Sequence, residues 1–348
     1  MQSSADNPAR NALGAGVTNS AVMAAIDRSG YPLQTLVAER LSKAFHVREE
    51  WSYVDRDTQA LRTIDIVASC PLDASRINEK RVRPQLDLII ECKKSELPFV
   101  FFATRHHPWI PNFPIVAGLN QTDIELVTDD DLSTWKLSLL HVLSLDTHPF
   151  SQHKWLSNTF SKCVRRSGGD LDLSGDEGYN SIVLPLVKAA AHFEAAERPR
   201  STYVYFDAHL VVPIAVVDAP MVLLELVDGA PIATLKPWIR VARHEYDRDS
   251  DQWHKDRLWA IDVIHVDFLA TYVEHHLMPF AKEFGSRALA HHKEMAEGKG
   301  FASGLGADSF SNLEGRLRER AVMSAAARGA SIFWRLLTLP YWIWKKKK

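Results

Sequence analysis

Hydrophobic and polar positions near the start of the chain follow first a helical and then a strand period. From Pro32 to about Phe45, apolar residues recur every three or four positions, which predicts a helix with one packed face. Pro32 suits the first turn of such a helix. Segments that alternate or run apolar then predict three strands, at Val47–Tyr53, Arg62–Ala68 and Gln85–Cys92.

Both periods recur further along the chain. Residues 97–177 begin rich in proline and histidine and then predict helices at Leu132–Val142 and Lys154–Val164, so we interpret them as a helical insertion. After it, the pattern predicts a helix at Tyr179–Glu194, strands at His209–Val217, Met221–Val227 and Leu258–His265, and a helix from about Val266 to Phe284. The order helix, three strands, helix, strand predicts an α/β fold whose mixed central sheet is flanked by helices.

These elements divide the chain into four segments. Residues 1–28 are an N-terminal lead, expected to be partly disordered, with a short helix at Ala21–Arg28. Residues 29–230 form the expected core with its insertion, residues 231–310 a C-terminal α/β extension, and residues 311–348 a basic, tryptophan-rich C-terminal helix and tail.

Composition indicates an ordinary globular protein. The 348 residues are 46% hydrophobic and 24% charged, and the net charge of −2 gives no overall basic footprint. Any nucleic-acid binding therefore depends on local basic patches. Three cysteines without a CxxC pair favour a reducing cytoplasm over disulfides or a zinc site, and the first 30 residues lack the pattern of a secretory signal.

Candidate chemistry lies at the ends of two predicted strands. Glu91 and Lys93 are two residues apart, so they share one face of a strand, whereas Cys92 points to the other face. Asp65 ends the polar face of the preceding strand and supplies a second carboxylate. Carboxylates beside an ammonium can hold a divalent metal and orient water near a phosphate.

This combination resembles the PD-(D/E)XK nuclease superfamily, in which a strand-borne aspartate precedes a Glu-Xaa-Lys motif. The resemblance includes Gly30–Gln34, which open the leading helix, Tyr53–Asp57, which lead into a turn, and Arg62–Asp65. It covers residues 29–102 well and 178–227 loosely. It implies a restriction-endonuclease-like core and a metal-dependent nuclease that acts on DNA in restriction, repair or anti-phage defence.

The resemblance also implies roles for individual residues. Asp65, Glu91 and the backbone carbonyl of Cys92 would bind Mg²⁺ or Mn²⁺, since hard cations prefer oxygen ligands. Lys93 would orient the attacking water and stabilise charge that develops on phosphorus. Lys94 and Arg62 are expected to contact the nucleic acid.

A further residue is expected from the leading helix, which in the family usually contributes a glutamate. Gln34 falls within the apolar stripe, whereas Glu39 lies about 150° from its centre. A polar residue on a packing face needs a partner, so we expect Gln34 at the site and Glu39 in solvent. Gln34 adds no negative charge, which departs from the family pattern.

Two questions stay open at this stage. The strand-borne residues also fit a structural ion pair. The fold also fits a catalytically silent module that binds nucleic acid or protein. In either case the partner could be a second copy of the chain, in a homodimer. At the C-terminus, the apolar run Ser331–Trp344 is shorter than the ~20 residues that span a bilayer. We expect this apolar run to pack on the core. The alternatives are that it contacts a membrane peripherally or that the basic tail binds nucleic acid.

Overall fold

The structure, a computed structural model, describes residues 4–72, 82–104, 110, 112–128, 134–199, 206–246 and 256–302. The fold opens with two helices and three strands, as the sequence pattern predicts. These are α1 (Asn19–Arg28), α2 (Tyr31–Ser42), β1 (His46–Val54), β2 (Leu61–Pro71) and β3 (Val82–Lys94). The predicted C-terminal helix and tail of residues 311–348 lie outside the described residues.

The segment that follows β3 consists mainly of strands. Its elements are β4 (Phe99–Ala103), β5 (Ile115–Ala117), β6 (Asp123–Thr128), β7 (Thr134–Ser138), α3 (Leu139–Val142), β8 (Leu156–Arg165) and β9 (Leu171–Ser174). The predicted helix at Lys154–Val164 is wrong, because this stretch forms β8. Of the predicted helix at Leu132–Val142, residues 134–138 form β7 and α3 is a single turn; positions 132 and 133 lie outside the described residues.

The error at β8 has a physical cause. Leu156, Phe160 and Cys163 are spaced as on a helix, and all three are buried. However, β4 pairs with β8 on one side and β9 pairs with part of it on the other. Pairing with these strands satisfies the backbone of β8, and such tertiary contacts override a local periodic pattern.

The second half of the chain contains the predicted elements and three further strands, at Ala230–Leu235, Trp238–Tyr246 and Lys299–Ala302, that the pattern did not predict. A helical run consists of α4 (Gly175–Gly178), a π-helical segment (Tyr179–Val183) and α5 (Leu184–Ala196). Five strands follow: β10 (Phe206–Asp218), β11 (Met221–Val227), β12 (Ala230–Leu235), β13 (Trp238–Tyr246) and β14 (Asp256–His265). The last elements are a 3₁₀ turn (Val266–Phe268), α6 (Leu269–Thr271), a π-helical segment (Tyr272–Leu277), α7 (Met278–Ala290), α8 (His292–Glu297) and β15 (Lys299–Ala302).

One large mixed sheet organises the molecule. Its strand order is β1-β2-β3-β10-β14-β13-β8-β4-β11-β12, with β5 beside β10 and β9 beside β8. The strands β1, β2 and β3 form an antiparallel meander, and β10 lies parallel to β3 along its whole length. Strands β13 and β14, from the predicted C-terminal extension, lie in this same sheet. A small second sheet contains β15, β6 and β7.

Helices cover both faces of the large sheet, which confirms the α/β class with a mixed sheet flanked by helices. On one face, Leu33, Val37 and Leu41 of α2 join Phe280 and Phe284 of α7 in a single apolar cluster. The other face is covered by α5, with buried residues that include Leu186, Ala190 and Phe193. The middle parts of β3 and β10 are buried between these layers.

Candidate active site

The ladder between β2 and β3 opens at the predicted site. Paired positions run from Pro71 and Gln85 to Ile66 and Ile90, where the ladder stops. One residue further on, the Cys92 backbone N–H donates to the Asp65 carboxylate oxygen Oδ2 at 2.7 Å. A side chain thus replaces a backbone partner, and the Asp65 carboxylate is fixed between the two strands.

Glu91 and Lys93 lie side by side on β3, as strand alternation predicts. The Lys93 ammonium donates to Glu91 Oε1 at 2.5 Å. The Glu91 side chain is 8% exposed and that of Lys93 is 32% exposed. The carboxylate is therefore deep in the fold, whereas the ammonium extends toward solvent, where a substrate can reach it.

Gln34 occupies the position that the helical wheel predicts. Its side chain is buried, and its amide Nε2 donates to Glu50 Oε1 at 2.9 Å and to the backbone carbonyl of Asp65 at 3.2 Å. Glu39, on the same helix, is exposed. Through these two hydrogen bonds, Gln34 links α2 to both β1 and β2 at the site.

Glu50 is a site residue that the sequence analysis missed. The pairs Glu49–Ile66 and Trp51–Ile64 flank it in the β1–β2 register, so Glu50 lies opposite Asp65. Its backbone φ is 49°, a left-handed value that is uncommon for a residue other than glycine. Within the charged run from Arg48 to Glu50, no sequence signal distinguishes this glutamate, because the unusual backbone conformation leaves no mark on composition.

The carboxylates are held where ionisation is unfavourable. The pKa of Glu91 is raised to about 7, chiefly by burial; Lys93 opposes the shift, and the nearby Asp65 and Glu50 contribute to it. Burial also raises the pKa of Asp65, although the Cys92 N–H and Lys93 act in the opposite direction. A cation bound here would relieve this repulsion.

Cys92 can take part only through its backbone. Its thiol lies in the apolar cluster on the α2 face, and burial, followed by the charges of Asp65 and Glu91, raises the thiol pKa well above its usual range. A thiol held in its neutral form is neither a nucleophile nor a metal ligand. The carbonyl oxygen of Cys92 is the atom to consider.

The donor atoms suit a magnesium ion that keeps much of its water. Within the described residues, no three histidine, cysteine, aspartate or glutamate side chains are arranged so that they alone could hold a metal ion. Mg²⁺ usually binds through one or two carboxylates together with water and substrate oxygens. Asp65 and Glu91 supply two such carboxylates, so the residues fit Mg²⁺ or Mn²⁺ and would not form a closed protein cage.

The two predicted nucleic-acid contacts lie in different surroundings. The Arg62 guanidinium donates to Asp55 at 2.8 Å, and Asp55 in turn accepts backbone N–H groups of the β1–β2 turn. Arg62 therefore also stabilises this hairpin. Lys94 is 40% exposed and lies 4.0 Å from Asp218, next to the site.

A cleft of about 530 Å³ lies at the carboxyl end of β3. Ser95, Asp218 and His265 line it at the ends of β3, β10 and β14. Ligands of open α/β sheets bind in crevices at the carboxyl ends of strands. The first lining residue of this cleft, Ser95, is two residues beyond Lys93 in the sequence, but Asp65, Glu91 and Lys93 do not line the cleft.

Comparisons with known proteins identify no relative: no family model, curated protein or solved structure matches the chain. None of the helices in the described parts of the chain has the length and apolar character needed to cross a membrane.

Proposed function

We propose that the chain is a metal-dependent nuclease of the PD-(D/E)XK type, which hydrolyses phosphodiester bonds in DNA. The observation that carries this proposal is the meeting of Asp65 with the Glu91–Lys93 pair at the point where β2 and β3 part. The order α2, β1, β2, β3, α5, β10 agrees with a restriction-endonuclease-like core. The resemblance to this superfamily extends the proposal to a role in restriction, repair or anti-phage defence.

Each site residue has a distinct task in the proposed reaction. Asp65 and Glu91 would hold Mg²⁺ or Mn²⁺, with the Cys92 carbonyl as a further oxygen ligand. The ion would supply polarisation of the scissile phosphate and a lowered pKa of bound water. Lys93 is a compact ammonium at the solvent side of Glu91, so it can orient the attacking water and stabilise negative charge on the phosphate.

Gln34 and Glu50 complete the site from α2 and β1. The Gln34 amide holds the Glu50 carboxylate beside Asp65. Glu50 is exposed, so its second oxygen can accept a hydrogen bond from water at the site. In this arrangement a strand residue supplies the acidic group that the family usually takes from its leading helix.

A cleavage assay tests the proposal directly. Purified protein is incubated with supercoiled, linear and single-stranded DNA, with Mg²⁺, with Mn²⁺ and with EDTA. We expect metal-dependent cleavage that Asp65→Ala, Glu91→Ala and Lys93→Ala each reduce by at least about a hundredfold, a typical loss for a removed electrostatic contributor. Glu39→Ala, on the exposed face of α2, is the control and should cleave normally.

Cleavage that persists in EDTA, or in any of the three site variants, would contradict the mechanism. The variants must also retain their fold, which melting curves check. Because a buried glutamate is replaced in one of them, Glu91→Gln serves as a second variant of similar volume.

A second candidate is a catalytically silent module that binds nucleic acid or protein. The observation in its favour is the absence of a three-residue metal group within the described parts of the chain. Such a module would shift DNA in a gel without cutting it, and its DNA affinity would not depend on divalent metal. The retained Asp65, Glu91 and Lys93 favour the enzyme, since binding alone has no need of all three.

A cytoplasmic location accompanies the proposal. Cys70, Cys92 and Cys163 are all buried as free thiols. Free thiols are typical of reducing compartments, where nucleic-acid substrates are also found.

A further inference from the structure

The two edges of the large sheet differ sharply in charge. At one edge, β1 carries Arg48, Glu49 and Glu50, and the left-handed backbone at Glu50 interrupts it. Charges and irregular backbone are devices by which sheets prevent further strands from adding to an edge. At the other edge, β12 (Ala230–Leu235) contains no charged residue.

The β12 edge is also apolar and exposed. Ile232 is 45% exposed and Leu235 is 72% exposed, while Val227, just before the turn, is 47% exposed. Within the described parts of the chain, β12 pairs only with β11. An uncharged edge strand with exposed branched side chains is a template to which another strand can add.

The hairpin geometry determines which backbone groups face outward. Val227 pairs with Ala230, and the intervening Asp228 and Gly229 have φ values of 52° and 83°, which is the pattern of a two-residue type I′ turn. In such a hairpin the closing pair is hydrogen-bonded and the pairs alternate from there. The backbone groups of Pro231, Ala233 and Leu235 therefore point away from β11.

We propose that β12 is a homodimer interface, at which β12 of a second copy adds antiparallel about a two-fold axis at Ala233. In this register each Ala233 exchanges two backbone hydrogen bonds with its counterpart, and each Leu235 N–H donates to the Pro231 carbonyl of the other copy. Proline lacks an N–H, but here its carbonyl is the required group. The large sheets of the two copies then form one continuous sheet.

Charge at the ends of β12 favours a second copy in this orientation. Asp228 precedes the strand and Lys236 follows it, and the Lys236 ammonium is held 3.9 Å from the centre of the Trp155 ring. Antiparallel pairing brings the positive end of each strand beside the negative end of the other. Parallel pairing would bring like charges together, and a strongly charged peptide would meet no opposite charge along β12 itself.

Sedimentation and light scattering of the full chain test the interface. We expect a dimer that Asp228→Lys and Lys236→Glu each weaken by roughly tenfold, and that the double variant restores to within about threefold of the original affinity. Ala233→Pro, which removes the central N–H, should give monomers. Glu49→Lys at the opposite edge is the control and should leave the dimer unchanged.

The remaining outcomes count against the proposal. A monomer at all concentrations, or a dimer that neither the charge variants nor Ala233→Pro weaken, would overturn it. So would a double charge variant as weak as the single ones, because the rescue is specific to antiparallel self-pairing. Ile232→Lys, at an exposed side chain that leaves the backbone intact, replaces Ala233→Pro if melting curves show that the proline variant is unfolded.

Discussion

At the scale of single residues, the site depends on one backbone conformation and one amide. The left-handed φ of Glu50 interrupts the β1–β2 ladder opposite Asp65, and the Gln34 amide holds the resulting carboxylate in place. A non-glycine residue in this conformation costs of the order of 1 kcal/mol and persists only where its surroundings enforce it. The unfavourable free energy is confined to Glu50, and this backbone conformation places a third carboxylate beside Asp65 and Glu91.

Gln34 substitutions test whether this amide organises the site. Gln34→Ala removes both hydrogen bonds, so we expect cleavage to fall about tenfold or more, with Glu50 no longer held. Gln34→Glu introduces the acidic residue that the family usually has on this helix, and we expect it to preserve cleavage or to shift the metal preference. Metal titrations of the cleavage rate measure both effects. Equal activity in Gln34→Ala and Glu39→Ala would show that Gln34 is only a packing residue.

Glu91 makes metal-free stability depend on pH. Its folded pKa of about 7 exceeds the ordinary value of 4.5, so the folded state binds the proton more tightly. Its contribution to stability is therefore present at low pH and is lost as the pH rises from 4.5 through 7. The lost free energy of unfolding is up to about 3 kcal/mol.

Urea unfolding in EDTA at pH 5 and pH 8 measures this effect. We expect Glu91→Gln to lose less stability than the unmodified protein between these two values, since an amide does not titrate. Glu39→Gln, at an exposed position, is the matched comparison. Identical pH profiles for Glu91→Gln and the unmodified protein would contradict the assigned shift.

At the scale of elements, the sequence predicted those helices and strands whose conformation depends on the local pattern of apolar residues. The helix α2 and the strands β1–β3 carry clear apolar periods, and the alternation of β3 placed Glu91 and Lys93 on one face. The strand β8 was missed because Leu156, Phe160 and Cys163 are spaced as on a helix while distant strands determine its conformation. Glu50 was missed for a related reason: its role depends on the register with β2, which no local signal specifies.

A buried ion pair between β13 and β14 also holds the segment that precedes β8. Arg240 of β13 and Asp262 of β14 are cross-strand neighbours with two hydrogen bonds, at 2.8 and 3.0 Å. The Arg240 guanidinium also donates to the carbonyls of Phe150 and Ser151, and the Tyr272 hydroxyl donates to Asp262. Every member has a partner, so the charges are tolerated without contact with water.

Removal of one partner should therefore be costly. Arg240→Met leaves the Asp262 charge buried without its counter-ion, and we expect a loss of about 3–5 kcal/mol in the free energy of unfolding. Arg243→Met, on the same strand but with a partly exposed side chain and a 3.8 Å pair to Glu245, should cost less than about 1 kcal/mol. Chemical denaturation of both variants provides the comparison. Similar losses in the two would mean that burial does not control this network.

At the scale of the whole molecule, the large sheet makes the predicted core and the predicted C-terminal extension interdependent. The parallel pairing of β14 with β10 runs from Ile214 and Asp262 to Val217 and His265, in the middle of the sheet. The strand β13 lies on the far side of β14 and pairs in turn with β8. The strands on either side of residue 230 thus share the apolar clusters on both faces of the sheet.

This continuity predicts that residues 1–230 cannot fold alone. Loss of β13 and β14 would expose the edge of β10 and remove the buried side chains of Ile239, Ile261, Val263 and Ile264. Each contributes about 1.5–3 kcal/mol by burial, so their sum is comparable with the whole stability of a domain. We expect the 1–230 chain to be insoluble or rapidly proteolysed. Removal of residues 1–18, whose described part is almost entirely exposed, should leave the melting temperature unchanged. A 1–230 chain that unfolds cooperatively would show instead that the strands up to residue 230 form an independent unit that holds the candidate site.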